Sequence, residues 1–292
     1  MAKITAKLVK ELRDRTGAGM MDCKKALVKA DGDIEKAIDI LRENGSAKAA
    51  KKSARIAAEG LAEYAIDGND AVLVEVNSET DFVSSNDKFK KLVNYITASL
   101  LKNKPADLKA ALAAPMGDGT IQDAITNLTA VIGEKLTLRR FQLVSKKDDE
   151  IFGAYKHNGG AIAALVTMKG GSEEAAKNIA MHVAAINPEY LNKDSVPADE
   201  LKRQTEVFTK ETEQEGKPAK IVPMIVKGRV NKYLSEICLV DQPYVKDDKQ
   251  TVAEYAKSVN NGVVTNFVRY EVGEGIAKRQ EDFAAEVAEQ MN

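Results

Sequence analysis

The 292-residue sequence is poor in several residue types that often carry chemistry. It has no tryptophan, two cysteines, two histidines and only 5% aromatic residues. Cys23 and Cys238 lie far apart and form no ligand spacing with either histidine. The sequence therefore predicts neither a disulfide framework nor a metal site.

Long apolar runs are also missing. No stretch reaches the roughly 20 apolar residues that cross a bilayer. The first residues lack the apolar centre of a signal peptide, and Glu11 and Asp14 argue against a transit peptide. We therefore expect a cytoplasmic chain without membrane contact.

Neither sign of charge is in large excess. The sequence has 43 Lys and Arg residues and 44 Asp and Glu residues, for a net charge of −1. This balance argues against a strongly basic nucleic-acid binder. The abundant Ala, Leu, Ile and Val residues favour a helix-rich protein with small β elements. The length allows two or three domains.

Motifs for nucleotide binding and catalysis are absent. There is no GxxxxGK[ST] sequence, and Gly17-x-Gly19 and Gly273-x-Gly275 lack the third glycine and the strand-to-helix setting of a dinucleotide loop. We expect no direct nucleotide site, no cofactor and no catalytic residue. Cys23, beside two lysines, allows a thiol enzyme, but the sequence offers no base for it, and a buried helix cysteine is the favoured interpretation.

Three short helices are predicted over residues 4–44, where apolar residues recur at helical spacing. Asp33 is a good N-cap for the third helix, and Asn44-Gly45 is typical of its C-terminal end. We predict a ubiquitin-associated-like N-terminal three-helix module at residues 1–46. An exposed helical linker, rich in Ala and Lys, is predicted at residues 47–59.

The central region contains a repeated pattern. Strands at 61–66 and 71–76 lead to a helix over 86–102, and strands at 151–156 and 161–168 lead to a helix over 173–186. Two strand-turn-strand-helix units favour an α+β fold with two related subdomains. We place the core N-subdomain at 60–145 and the core C-subdomain at 146–273. Between the two units we expect helices over 105–113 and 121–132 and a strand over 136–144.

A polar helical hairpin is predicted at residues 197–240, with helices over 197–215 and about 220–234. Pro223 fits only the first turn of its second helix. Because its helices carry few large apolar residues, such a hairpin is expected to project from a domain or to pair with another chain. The sequence ends with a strand over 263–272 and a helix over 281–290, the latter in a C-terminal helical module at 274–292.

The junction that follows the strand at 71–76 has an unusual composition. Asp81 and Phe82 stand between that strand and the next helix, for which Ser84-x-x-Asp87 has the spacing of a capping box. In one interpretation Phe82 folds back over the helix start and Asp81 assists the cap. In the other, both side chains face a partner.

Two stretches resemble the elongation factor Ts family: LRDRTGAGMMDCKKAL at residues 12–27 and EVNSETDFV at residues 75–83. Further similarities lie at 132–134, 180–182, 216–218, 228–229 and 269–275, so the resemblance spans essentially the whole chain. Ser78 departs from the family pattern, in which we expect cysteine. This small polar replacement leaves the neighbouring Asp-Phe pair undisturbed.

The resemblance implies a guanine-nucleotide exchange factor of translation elongation. Such a protein binds elongation factor Tu carrying GDP, destabilises its Mg²⁺ and GDP site and catalyses no covalent chemistry. By the same resemblance, the partner contacts are Arg13, Met20, Met21, Asp81, Phe82, Ile132, Gly133, Glu134 and His157. The residues that dislocate Mg²⁺ are Thr80, Asp81, Phe82 and Val83. Some family members use the helical hairpin for dimer contacts, which implies a homodimer as one possible assembly.

A different class of function is an RNA-associated protein that uses the basic residues Lys48, Lys51, Lys52 and Arg55. The balanced charge and the scarcity of aromatic residues for base stacking argue against specific nucleic-acid binding. A solvated linker is the favoured interpretation of this cluster.

Overall fold

A computed structural model describes residues 4–277 and shows a mixed helix-and-sheet protein, which confirms the predicted α+β class. The helices are α1 (Ala6–Thr16), α2 (Met20–Lys29), α3 (Ile34–Lys52), α4 (Asp81–Ser84), α5 (Asp87–Asn103), α6 (Leu108–Ala113), α7 (Ile121–Ile132), α8 (Glu173–Ile186), α9 (Ala198–Gln214), α10 (Val222–Ile237) and α11 (Val252–Ser258). The strands are β1 (Glu59–Asp67), β2 (Asp70–Ser78), β3 (Pro115–Met116), β4 (Gly119–Thr120), β5 (Thr137–Ser145), β6 (Glu150–His157), β7 (Ile162–Lys169), β8 (Pro243–Tyr244), β9 (Asp247–Thr251) and β10 (Val263–Glu271). The helix predicted over 281–290 lies outside the described residues. No helix within residues 4–277 has the length and apolarity to span a membrane.

Helices α1, α2 and α3 form the predicted N-terminal bundle. Thr5 and Asp33 cap α1 and α3, because each side chain accepts a hydrogen bond from a backbone N–H of the first turn. The apolar faces meet in one small core of seven buried residues: Val9, Leu12, Cys23, Ala26, Leu27, Ala30 and Ala37. Cys23 is fully buried, which confirms its interpretation as a core residue.

Helix α3 does not end at Asn44-Gly45 but continues to Lys52, so the predicted stop was wrong. Gly45 is buried, and a Cβ atom added to it would lie 3.2 Å from the Cβ atom of Ala130 in α7. This glycine therefore serves close packing of α3 on α7 instead of a left-handed turn. The Ala- and Lys-rich residues beyond it favour helix and extend α3.

The chain folds into two compact units. The first contains residues 4–65, 74–143 and 271–277, and the second contains residues 66–73 and 144–270. Two three-stranded sheets have the orders β1-β2-β5 and β10-β7-β6. In each sheet the second strand of a hairpin is central, and its outer neighbour is a strand that follows the intervening helices. This shared topology matches the predicted duplication. The predicted domain boundaries themselves stay predictions.

The sheet of the second unit shows how sequence positions a helix. Strands β6 and β7 pair antiparallel, from Glu150 opposite Lys169 to His157 opposite Ile162. Helix α8 packs over β6, where a Cβ atom on Gly153 would lie 2.1 Å from the carbonyl carbon of Ala176. Only glycine permits this approach. His182 on α8 is fully buried.

Several local predictions differ from the structure. Helix α6 begins at Leu108, not at residue 105, because Asp107 is its N-cap. Ser84 lies inside the short helix α4, and the N-cap of α5 is Asn86, so the predicted Ser84-x-x-Asp87 capping box was wrong. The sequence analysis missed two pairs of short strands, β3-β4 and β8-β9, and the short helix α11. Such short elements carry little periodic signal.

Candidate functional site

The junction between β2 and α5 presents Asp81 and Phe82 outward. Thr80 is the N-cap of α4, and its Oγ1 accepts a hydrogen bond of 3.4 Å from the N–H of Val83. Val83 is buried, whereas Asp81 is exposed and 84% of Phe82 is exposed. The inward-packed interpretation of Phe82 was therefore wrong. A large aromatic side chain this exposed on a short capped turn is typical of a contact surface.

Two glutamates hold this junction against the end of α7. The Glu134 carboxylate accepts hydrogen bonds from the backbone N–H of Thr80 at 3.0 Å and from its hydroxyl at 2.7 Å. In return, the Glu79 carboxylate accepts one of 2.5 Å from the backbone N–H of Lys135. We call this crossed arrangement the glutamate latch. Charged acceptors make strong hydrogen bonds, so the latch fixes the base of the turn that carries Phe82.

Basic residues of the predicted linker bind a residue of the latch and the neighbouring Gly133. The Lys52 ammonium group donates to the carbonyl oxygen of Gly133, and Arg55 pairs with Glu79 at 3.2 Å. Lys48 pairs with Asp22 at 2.8 Å. Three of the four residues considered for RNA binding are thus engaged within the first unit, which weakens that alternative.

The residues from Ile132 to Glu134 form the end of α7 beside the latch. Gly133 is the C-cap of α7 with φ 89°, a left-handed conformation that favours glycine. Ile132 is half-buried and Gly133 is exposed. The structure brings these residues together with Thr80, Asp81, Phe82 and Val83 on the first unit.

The N-terminal bundle displays a second exposed apolar feature in the first unit. Met20 and Met21 are the first two residues of α2 and are 55% and 62% exposed. Arg13, on α1, is exposed as well. Methionine side chains are flexible and polarisable, which suits them to contact surfaces.

The two histidines have different surroundings in the second unit. His157 is exposed at the end of β6, where its Nδ1 lies 3.3 Å from the Tyr155 hydroxyl. The buried His182 accepts a hydrogen bond at Nδ1 from the N–H of Val245, so its Nε2–H donates to Gln242. Burial lowers the pKa of His182, which favours this neutral form. Of the two, only His157 is available to a partner.

A buried charge in the first unit went unnoticed in the sequence. Glu75, in the middle of β2, is fully buried and pairs with Arg139 at 2.9 Å and Arg140 at 2.6 Å. It also accepts a 2.8 Å hydrogen bond from the N–H of Gly273. Burial alone would raise the pKa of Glu75, but the Gly273 N–H, the two guanidinium groups and Asn77 together hold it below its usual value. One glutamate in an apolar strand, with adjacent arginines on another strand, is the signal that could have revealed the pairing.

Comparison with known proteins assigns the family. The family model for elongation factor Ts matches residues 79–274. Curated proteins named elongation factor Ts are 64% identical in Lacticaseibacillus casei, 58% in Pediococcus pentosaceus and 54% in Limosilactobacillus reuteri. Each match covers 100% of this chain and 99–100% of the relative. The chain belongs to the elongation factor Ts family.

The elongation factor Ts match covers the junction but not the N-terminal motif, because the family model begins at Glu79. The full-length relatives include the bundle as well. Within the family region lie the glutamate latch, the exposed Phe82 and His157. Arg13, Met20 and Met21 lie before it and are covered by the relatives alone.

Proposed function

We propose that this protein is a guanine-nucleotide exchange factor that binds elongation factor Tu carrying GDP and accelerates GDP release. The observation that carries the proposal is the exposed Phe82 beside Asp81, held on a latched turn of an elongation factor Ts chain. The protein would act by binding in the cytoplasm, without covalent chemistry and without a nucleotide site of its own.

Phe82 is the proposed wedge. A GTPase holds GDP with phosphate-loop amides, a lysine and Mg²⁺, and the ion is often the largest local charge in such a site. An aromatic ring inserted beside the helices that orient the Mg²⁺ ligands would weaken the binding of the ion. The negative charge of the diphosphate would then be poorly compensated, and GDP would leave faster. Each tenfold acceleration requires about 1.4 kcal/mol of barrier lowering, and loss of an aromatic interface anchor commonly costs at least about 2 kcal/mol.

The glutamate latch supports a rigid wedge. Force on Phe82 is transmitted to the protein through a turn whose N-cap residue, Thr80, is bound at both its N–H and its hydroxyl by Glu134. A loosely held turn would move aside and deform less of the partner. We therefore assign Glu134 a positioning role in addition to any contact that it makes.

The remaining exposed residues have proposed docking roles. Arg13, Met20 and Met21 would contact the nucleotide-binding domain of elongation factor Tu, and His157 would contact another of its domains. Because binding linkage is reciprocal, a factor that loosens GDP is itself loosened by nucleotide and is released when GTP enters.

The helical hairpin offers a surface for a second copy of the chain, and we propose a homodimer through it. Val222, Val226 and Val230 line an open groove of about 430 Å³ with Thr205 and Thr209, and Met224 is 70% exposed. Sedimentation velocity over a range of concentrations tests this proposal. We expect Met224→Glu to lower the apparent mass at high concentration. A concentration-independent monomer would contradict the dimer.

Release of a fluorescent GDP analogue from elongation factor Tu tests the main function. We expect catalytic amounts of this protein to raise the release rate by orders of magnitude above the spontaneous rate. Met20→Ala combined with Met21→Ala should raise the concentration needed for half-maximal effect and leave the saturating rate near normal. No acceleration by the unmodified protein would refute the function, and unchanged affinity in the double variant would refute the docking role.

A further inference from the structure

An apolar groove with a basic rim lies on the N-terminal bundle. It has a volume of about 630 Å³ and is bounded by α2, α3 and the end of α7. Met21, Val28, Leu41, Ala130 and Val131 provide its apolar lining. Val28 is 58% exposed, although it follows the buried Leu27 on α2. We call this surface the α2–α3 groove.

The rim of the α2–α3 groove is strongly positive. Lys24, Lys25, Lys29, Lys48 and Lys51 line it, against a single acid, Asp22, which is paired with Lys48. The other four lysines are exposed and form no ion pair within residues 4–277. An occupant that fits should carry carboxylates on both sides of an apolar stripe.

The chain contains such a segment shortly after the last described residue, Ala277, beyond the two basic residues Lys278 and Arg279. Residues 280–292 read QEDFAAEVAEQMN and contain four acids and no base. Phe283, Val287 and Met291 recur every four residues, which places them on one face if the segment is helical. On the same helical projection Glu281 and Glu286 border this stripe on its two sides, and Asp282 and Glu289 lie on the opposite face.

We propose that this acidic C-terminal segment docks in the α2–α3 groove of its own chain. The apolar stripe would cover Met21 and Val28, and the flanking carboxylates would meet the lysines of the rim. The proposal concerns the free protein and is independent of the proposed exchange function. A consequence is that the segment competes with any partner that uses Met21.

The covalent path allows this docking. The backbone at Gly273 packs against Ala58, since a Cβ atom on Gly273 would lie 2.2 Å from the carbonyl oxygen of Ala58. Ala58 is seven residues from Lys51 on the rim, a span of at most about 25 Å, and residues 278–292 span about 22 Å as a helix and about 50 Å when extended. A tethered segment acts at an effective concentration of roughly millimolar, so even weak affinity would keep it bound.

Methionine oxidation tests the proposal in the full-length protein. Met20 and Met21 are similarly exposed in residues 4–277, but only Met21 lines the groove. We expect peroxide to oxidise Met21 several-fold more slowly than Met20 or the exposed Met224, as measured by mass spectrometry of peptides. Phe283→Ala should abolish the difference. Ala285→Ser, at about 200° from Phe283 on the helical projection, is the matched control and should preserve it.

Carbodiimide cross-linking gives a second measurement, because it joins only carboxylates and amines in direct contact. We expect links from Glu281 or Glu286 to the rim lysines to exceed links to Lys210 and Lys217, which are also exposed. Equal oxidation of Met20 and Met21 in the unmodified chain would overturn the proposal. So would protection of Met21 that survives Phe283→Ala, or cross-links without preference for the rim.

Discussion

Phe82 and Asp81 are adjacent and both exposed, yet their side chains should act on different steps of nucleotide release. Phe82 supplies apolar area, whereas Asp81 supplies a negative charge close to a metal ion. Truncation of an aromatic anchor at an interface commonly costs at least about 2 kcal/mol. If the binding energy of Phe82 is used to distort the partner, its loss lowers the GDP release rate at saturating concentrations of this protein.

We therefore predict that Phe82→Ala lowers the saturating GDP release rate by at least about tenfold. Asp81→Ala should slow release in Mg²⁺ and lose most of that effect in EDTA, where the metal is already removed. Stopped-flow measurements with and without Mg²⁺ distinguish the two variants. Both should unfold at the normal temperature, because neither side chain contributes to the core. A normal saturating rate for Phe82→Ala would refute the wedge.

The glutamate latch predicts a milder effect at a distance from the partner. Glu134→Gln retains only one acceptor oxygen for the two donors of Thr80. We expect loss of about 1 kcal/mol from the latch and a several-fold lower saturating release rate. The concentration for half-maximal release should change less.

The control for the latch is Glu43→Gln, which alters an exposed carboxylate on α3 of the same unit. It should leave both kinetic parameters unchanged. An effect of Glu134→Gln on affinity alone would show that Glu134 acts as a contact and not through Thr80.

At the scale of elements, periodic helices were predictable and their ends were less so. Pro223 placed the start of α10 correctly, because proline is tolerated only in the first turn. The end of α3 was misplaced because Asn44-Gly45 is a local stop signal that tertiary packing on Ala130 overrides. Phe82 was undecided in the sequence, since junction aromatics pack either way. Only its family resemblance favoured exposure.

The helical hairpin divides into a distal part and a part anchored in the second unit. Val196, Leu234, Ile237 and Cys238 form a small core at its base, against which Leu201, Val230 and Tyr233 pack. Glu200 accepts hydrogen bonds from Tyr190 at 2.6 Å and Tyr233 at 2.9 Å. Phe208 packs edge-on against Tyr233, with ring centroids 6.2 Å apart, and residues 209–228 lie beyond these contacts.

We predict that residues 209–228 can be replaced by a short Gly/Ser bridge with little loss of stability in the remainder. The variant should show one cooperative thermal transition close to that of the full chain. A larger deletion that also removes Leu201 and Val230 is the comparison and should be markedly less stable. A non-cooperative transition in the smaller deletion would show that the distal hairpin belongs to the core.

At the scale of the whole molecule, Glu75 makes stability dependent on pH. Its pKa in the folded protein is below its ordinary value, so the unfolded chain binds the proton more readily. The contribution of Glu75 is therefore fully present above the unfolded pKa, about 4.3, and is lost as pH falls through the folded pKa.

We predict that the free energy of unfolding falls more steeply below pH 4.5 in the unmodified protein than in Glu75→Gln. At pH 7 the variant should be less stable by roughly 3 kcal/mol, because Arg139 and Arg140 lose a buried partner. Urea unfolding at pH 7, 5, 4 and 3 measures both effects. Exposed carboxylates such as Asp149 titrate in both proteins, so only the difference between the two curves reports on Glu75. Parallel curves would contradict the assignment.

The hydrogen bond from Gly273 to Glu75 also joins residues 198 positions apart in the sequence. A ribosome makes Gly273 long after Glu75, so the nascent first unit meanwhile contains a carboxylate that lacks its final donor. Arg139 and Arg140 become available in the meantime and can hold the charge provisionally. Completion of this unit is therefore a late event, and a chain whose synthesis stops before residue 273 should be recognised by proteases as unfinished.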